Sequence, residues 1–168
     1  SDDHPLNHHS KSKDYIRIEN SIKKKFLDQL SKDVGEAIQA YGPGKFKLIC
    51  TAVWTNINGP ESWNVTHTHP QTDFTATVYF EVPDDSGDLV IDNIDHIAAF
   101  QRFFSHPLHV DSIFTRMKYI HYPRKDSLVI FPAHLPHSVT ANKSNRERIS
   151  VSANFSVQRE DEAQVNNN

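Results

Sequence analysis

A change of hydrophobic period at Gly42-Pro43-Gly44 constrains this chain more than any other feature. Before it, between Tyr15 and Tyr41, apolar residues fall at Ile18, Ile22, Phe26, Leu27, Leu30, Val34, Ala37, Ile38 and Tyr41. Those steps of three and four mark one face of a helix. Lys23, Lys24, Lys25, Asp28 and Lys32 lie elsewhere on the wheel, and the lysine run reads as a solvated face. The Gly-Pro-Gly run stops the helix. Beyond it the pattern is that of strands. Residues 46–54 are rich in β-formers, and residues 74–82 (FTATVYFEV) read as a long strand ended by the turn Pro83-Asp84-Asp85-Ser86-Gly87. Residues 88–91 form a short strand, residues 127–131 a buried one closed by Pro132, and residues 148–157 (RISVSANFSV) alternate cleanly. Residues 95–118 show no clean period. One helix followed by many strands, without internal repeats, predicts a mainly β sandwich or barrel with the helix packed outside.

The 168 residues suit one domain, and a chain of this size buries roughly 70% of its extended surface. The expected layout is a flexible lead over residues 1–13, one domain over 14–159 and a frayed tail over 160–168. With 37% hydrophobic and 23% charged residues, the body of the chain is not disordered. A net charge of −3 gives no global basic field for nucleic acid or anionic membrane. No apolar run approaches the ~20 residues of a membrane span, and no signal-peptide core is present. The lone cysteine, Cys50, excludes an internal disulfide and fits a reducing, cytoplasmic setting. Histidine is the unusual count: eleven, against five glycines and one methionine.

Three clusters carry chemistry. In Asn64-Val65-Thr66-His67-Thr68-His69-Pro70, an extended backbone turns His67 and His69 to the same side, roughly 6–7 Å apart. Two imidazoles so placed suit one transition metal, although a pair of surface histidines has the same spacing. In residues 128–139 (LVIFPAHLPHSV) an apolar strand and a proline-limited turn lead to His137, a frame for a third ligand; His134 reads as a solvent-exposed loop residue. In the third cluster, Ile149, Val151, Ala153 and Phe155 share one strand face, and Arg148, Ser150, Ser152 and Asn154 share the other. That polar row either faces solvent on an edge strand or lines a ligand cavity. In the second case Arg148 can clamp a carboxylate, Ser150 can add a hydrogen bond, and Tyr79, which faces the way of Thr75 and Thr77, can add a phenolic donor.

The order of these elements raises a specific resemblance. A His-x-His strand, the Tyr79 strand, a Ser-Gly turn, a strand ending in Phe131-Pro132, His137 and then Arg148-Ile149-Ser150 together resemble the iron(II)- and 2-oxoglutarate-dependent oxygenases. The resemblance is closest to the small bacterial and phage-type oxygenases related to prolyl hydroxylases. It covers about residues 45–157 and is most specific over 129–154, with FPAHLPHSV followed by RISVSAN. It implies a double-stranded β-helix (jelly-roll, cupin-like) core and two cofactors, Fe(II) and 2-oxoglutarate. By resemblance, His67 is the first metal ligand and His137 the distal one, and Arg148 with Ser150 clamps the cosubstrate. No catalytic residue is implied beyond the metal ligands.

The chain departs from the family at one position. Most members carry His-x-Asp/Glu at the first motif, whereas here His69 stands where the carboxylate would be. Asp73 is the nearest downstream carboxylate, about 13 Å past His69 on a regular strand, and Asp92 can approach from a neighbouring strand. The expected ligands are therefore His67, His69 and His137, with Asp73 in reserve.

The implied reaction is oxidative decarboxylation of 2-oxoglutarate coupled to hydroxylation of a C–H bond. Trp54, Trp63, Phe103, Phe104 and Tyr119 are candidates for the substrate entrance. Residues 95–125, with His96, His106, His109 and His121, are the candidate substrate-covering insertion. The expected partners are a small-molecule or protein side-chain substrate and a second copy of the chain as a homodimer, without nucleic acid or membrane. Two other readings fit the residues: a non-catalytic jelly-roll binding module, and a three-histidine cupin-like metalloenzyme that works without 2-oxoglutarate.

Overall fold

The structure, a computed structural model, describes residues 11–13, 20–40, 42, 44–93 and 118–159. Its elements are β1 (Lys11–Lys13), α1 (Asn20–Gln39), β2 (Phe46–Asn58), β3 (Asn64–His67), β4 (Phe74–Glu81), β5 (Leu89–Asp92), β6 (Lys118–His121), β7 (Leu128–Pro132), β8 (His137–Val139) and β9 (Arg148–Arg159). They form a five-stranded sheet in the order β1-β2-β9-β4-β7 and a four-stranded sheet in the order β3-β8-β5-β6. Every pairing is antiparallel. From β2 to β5 the chain alternates between the two sheets, and it does so again from β6 to β9. That winding is the double-stranded β-helix, or jelly roll, expected from the sequence.

Helix α1 lies on the outer face of the five-stranded sheet. Leu30 and Val34 are buried there in one cluster with Ala76, Ala153 and Phe155, flanked by Phe26, Ile38, Leu48, Cys50, Val53 and Val78. Ala76 and Ala153 are cross-strand partners on this helix-facing side of the sheet. The helix ends where the glycines begin: Gln39 Nε2 donates to the Gly42 carbonyl at 2.9 Å, tying the last helical residue to the loop that follows. The segment 15–19, the first part of the expected helix, lies outside the described residues, as does Tyr41. Residues 11–13, placed in the polar lead on sequence grounds, pair with β2 as an edge strand, with Lys13 opposite Thr55. Among the described residues, no helix is long and apolar enough to cross a membrane.

A register shift divides β2 in two. Cys50 pairs with Phe155 and Ala52 with Asn154, so Thr51 is the extra residue of a β-bulge. Because side chains alternate with period two, one added residue reverses the facing of everything beyond it. Leu48 and Cys50 therefore share the helix side with Val53, while Ala52, Trp54, Asn56 and Asn58 turn to the space between the sheets. On that inner side a second cluster of Leu89, Ile91 and Phe131, with Val129, Leu135 and Val139, holds the sheets together.

Phe155 is wholly buried at the centre of the helix-side core. Phe155→Ala is expected to lower the unfolding free energy by about 3–5 kcal/mol in chemical denaturation. A loss below about 1 kcal/mol would contradict this placement of the helix on the sheet.

Candidate metal centre

Strand pairing brings two of the histidines together. His67, the last residue of β3, is the register partner of His137, the first of β8. Each ring is oriented by a local backbone carbonyl. His67 Nδ1 lies 2.8 Å from the Val65 oxygen, and His137 Nδ1 lies 2.9 Å from the Leu135 oxygen. A carbonyl only accepts, so each Nδ1 carries the hydrogen and each Nε2 presents a lone pair.

His69 lies just beyond β3, where its backbone N–H donates to the Ala133 carbonyl at 3.0 Å. Its ring stacks between Trp54, at 5.4 Å, and His137, at 5.0 Å. The ligand atoms of His67, His69 and His137 all lie within 4.8 Å of one another. His69 Nε2 and His137 Nε2 are 3.2 Å apart. Two nitrogens bound to one metal at about 2.1 Å and at right angles sit about 3.0 Å apart, so this pair is already spaced as ligands. His137 is 5% exposed, with Phe131 packed edge-on against it. Burial pushes its pKa down to about 4, aided by the charge of His67 and opposed by the Leu135 hydrogen bond. Near neutral pH it is an uncharged imidazole, the form that binds metal.

The same cavity, of about 440 Å³, has a polar floor built from β9, β4 and β2. Thr75 Oγ1 donates to Asn154 Oδ1 at 3.0 Å, the Thr77 and Ser152 hydroxyls meet at 3.0 Å, and Tyr79 is the register partner of Ser150. Asn56 Nδ2 donates to Ser152 Oγ at 3.1 Å. At the end of this row Arg148 is buried, 3% exposed. Its two terminal nitrogens donate to the Gly87 carbonyl and to Asn58 Oδ1, both at 2.9 Å.

Both acceptors of Arg148 are neutral, and its buried Nε has no hydrogen-bond partner. Among the described residues no carboxylate pairs with it. Burial lowers the Arg148 pKa and Tyr79 and Asp88 raise it, yet a guanidinium cannot neutralise itself. Burial likewise pushes the Tyr79 phenol up to about 12, with Arg148 opposing and Asp88 adding to the rise, so it stays a neutral donor. Gly87 has φ +95°, and a Cβ there would collide with the Thr140 carbonyl oxygen. Only glycine lets this turn bring its own carbonyl to Arg148.

The polar row of β9 therefore lines the cavity, which settles the alternatives left open by its sequence pattern. The reserve carboxylates lie elsewhere. Asp73 Oδ2 accepts the Val157 backbone N–H at 2.7 Å, and Asp92 pairs with Lys118 at 3.0 Å. On β5, Ile91 is the partner of His137, so the adjacent Asp92 faces the opposite way. His134 is exposed in the turn after β7. His121 sits 6.0 Å from the Tyr79 ring, outside the histidine cluster. Of the proposed entrance aromatics, Trp54 lines the cavity, while Trp63 and Tyr119 are 39% and 48% exposed and do not. Phe103, Phe104, His96, His106 and His109 lie outside the described residues. Sequence reasoning missed Asn58, which has no local signal because it meets Arg148 from 90 residues away. Asn154 was visible in the alternating row, but not as the partner of His69.

The depressed pKa of His137 has a consequence for stability. Between pH 6.5 and about 4 the unfolded chain binds a proton at this site and the folded chain does not. Stability of the metal-free protein therefore falls with acidification, by about 1.4 kcal/mol per pH unit for this one proton. Denaturation midpoints across that range should slope less in His137→Gln. Equal slopes in the two proteins would contradict the buried neutral imidazole.

No curated protein sequence matches the chain significantly. Among solved structures, a prolyl-4-hydroxylase from Pseudomonas putida is similar with TM-score 0.54 and 17% identity, over 90% of this chain and 73% of that one. The viral collagen prolyl hydroxylase of Paramecium bursaria Chlorella virus-1, in a 2-oxoglutarate complex, gives 0.57 and 14%, over 90% and 80%. HygX from Streptomyces hygroscopicus, with nickel and 2-oxoglutarate bound, gives 0.59 and 9%, over 91% and 72%. Against a 2OG-Fe(II) oxygenase-family oxidoreductase of Burkholderia pseudomallei, with TM-score 0.50 and 16% identity, the alignment takes in 67% of this chain but only 46% of that longer one. These likenesses establish the fold. The sequence model of the family described as "Putative 2OG-Fe(II) oxygenase" matches residues 52–154, a span holding all three histidines, Tyr79, Arg148 and Ser150. The chain thus belongs to the 2OG-Fe(II) oxygenase family, enzymes that depend on iron(II) and 2-oxoglutarate.

Proposed function

We propose that this chain is a dioxygenase that hydroxylates a small molecule or a protein side chain, with His67, His69 and His137 holding iron(II) and Arg148, Ser150 and Tyr79 holding the distal carboxylate of 2-oxoglutarate. The observation that carries the reading is Arg148: a buried guanidinium whose Nε lacks a partner, in the cavity that holds the three histidines. A buried donor left unpaired costs about 1–3 kcal/mol, and with only neutral acceptors on its terminal nitrogens the guanidinium lacks the counter-charge that a carboxylate in the cavity would bring. When bound, iron(II) supplies the oxygen-dependent chemistry that couples decarboxylation of the cosubstrate to C–H oxidation.

The chain's own residues do the rest. Ser150 and Ser152 lie between Arg148 and Asn154 along β9, so the polar floor runs from the Arg148 end to the histidine end. Tyr79 remains a neutral donor beside the guanidinium and can contribute a hydrogen bond without a competing negative charge. Trp54 walls the site on the side of His69.

Anaerobic titration with Fe(II) and 2-oxoglutarate tests this reading. The dioxygenase should develop a weak visible metal-to-ligand absorption band. Metal binding without the band would favour the three-histidine enzyme that does not use 2-oxoglutarate, and binding of neither would favour a non-catalytic module. Cutting a buried charged hydrogen-bonded pair costs about 3–5 kcal/mol. Arg148→Met should therefore weaken 2-oxoglutarate binding by roughly two to three orders of magnitude and spare metal affinity. Arg148→Lys should restore only part, since an ammonium lacks the planar fork. Unchanged affinity in Arg148→Met would overturn the assignment.

A further inference from the structure

His69 differs from the other two histidines in how its second nitrogen is held. His67 and His137 each give Nδ1–H to a backbone carbonyl, which leaves Nε2 with a lone pair. His137 Nε2 therefore accepts, and the nitrogen 3.2 Å from it, His69 Nε2, must carry the hydrogen of that contact. His69 Nδ1 then has the lone pair. It meets Asn154 Nδ2 at 3.1 Å, a donor, while Asn154 Oδ1 accepts from Thr75 Oγ1 at 3.0 Å. All the hydrogens run one way, from Thr75 through Asn154 and His69 to His137 and the Leu135 carbonyl.

In this state His69 is the wrong tautomer for a ligand, because its Nε2 lone pair is used up by N–H. We propose that Asn154 is a two-position switch for the third ligand: donating to His69 Nδ1 it holds the ring in the non-ligating tautomer, and turned end for end it accepts from Nδ1–H and frees Nε2 for the metal. The inference rests on His67, His69 and His137 being the metal ligands. Turning the amide exchanges Oδ1 and Nδ2, groups of nearly equal size, so no repacking is needed. Thr75 can follow, because its hydroxyl accepts from Nδ2 as readily as it donates to Oδ1. The proton leaves Nε2 and one is gained at Nδ1, so the net charge of the ring is unchanged.

The arrangement explains why an asparagine suits this place. An aspartate accepts only, and would hold the ligating tautomer permanently. A leucine would hold neither. Partners of ligating histidines typically change metal affinity by about 10–100-fold when replaced.

Long-range proton–nitrogen NMR on ¹⁵N-histidine-labelled protein reads the tautomer of each ring directly. In metal-free wild type at pH 8, His69 should be Nε2–H, and His67 and His137 Nδ1–H. Adding Zn(II), a redox-silent probe, should convert His69 to Nδ1–H. In Asn154→Asp, His69 should be Nδ1–H before any metal is added, and Zn(II) should bind about tenfold more tightly. Asn154→Leu should bind it about 10–100-fold more weakly. Finding His69 as Nδ1–H in the metal-free wild type, or unaltered in Asn154→Asp, overturns the proposal. Zn(II) that leaves all three rings unperturbed overturns the three-histidine site instead, and the metal-free spectrum reports on the tautomer independently of that result.

Discussion

Strict alternation along β9 organises the molecule. The strand pairs with β2 on one side and β4 on the other, so it is interior to its sheet, with the helix-side core on one face and the cavity between the sheets on the other. Its apolar residues, Ile149, Val151, Ala153 and Phe155, turn one way, and Ala153 and Phe155 sit in the core beneath α1. Its polar residues, Arg148, Ser150, Ser152 and Asn154, turn the other way into the cavity. Polar groups turned into the interior need hydrogen-bond partners, and Thr75 and Thr77 on β4 with Asn56 and Asn58 on β2 supply most of them. The exception is Arg148 Nε. That orphaned donor is the feature on which the proposed carboxylate site rests.

The local patterns along the chain carried much of this arrangement. The three- and four-residue spacing of α1 and the period-two alternation of β4 and β9 are properties of neighbouring residues, and both appear in the structure. The His67–His137 pair was approachable because one histidine ends a strand and the other begins one. The bulge at Thr51 was not legible: residues 46–54 are uniformly β-forming, and nothing local shows which residue is left unpaired. The partners of Arg148 were equally hidden, because Gly87 and Asn58 come from 61 and 90 residues away. The order of the motifs along the chain carried the resemblance to the oxygenases, while the partners of each residue came from sheet register.

Charge accounts for the consequences of histidine at position 69. In the proposed site three neutral imidazoles would leave a divalent metal with its full charge, and Arg148 would add one more. A 2-oxoglutarate dianion removes two of these three positive charges, leaving the cavity at +1. A carboxylate in place of His69 would bring the same assembly to zero. On the proposed ligand set the site would favour anionic occupants, and the phenol of Tyr79, with its pKa pushed up to about 12, would not offset that preference. The holding of His69 fits the same logic, since Trp54 stacks on the ring and its two nitrogens meet the neutral partners His137 and Asn154, so it needs no charged partner.

The central claim is that one cavity holds a metal at three histidines and a dicarboxylate at Arg148. An anomalous difference map from anaerobic crystals grown with Mn(II) and 2-oxoglutarate tests it most directly. The account predicts one metal peak bonded to His67, His69 and His137 at about 2.0–2.2 Å per nitrogen, with a carboxylate of 2-oxoglutarate on the Arg148 guanidinium. A peak ligated by Asp73 or Asp92 in place of His69, or a cosubstrate bound away from Arg148, would contradict it.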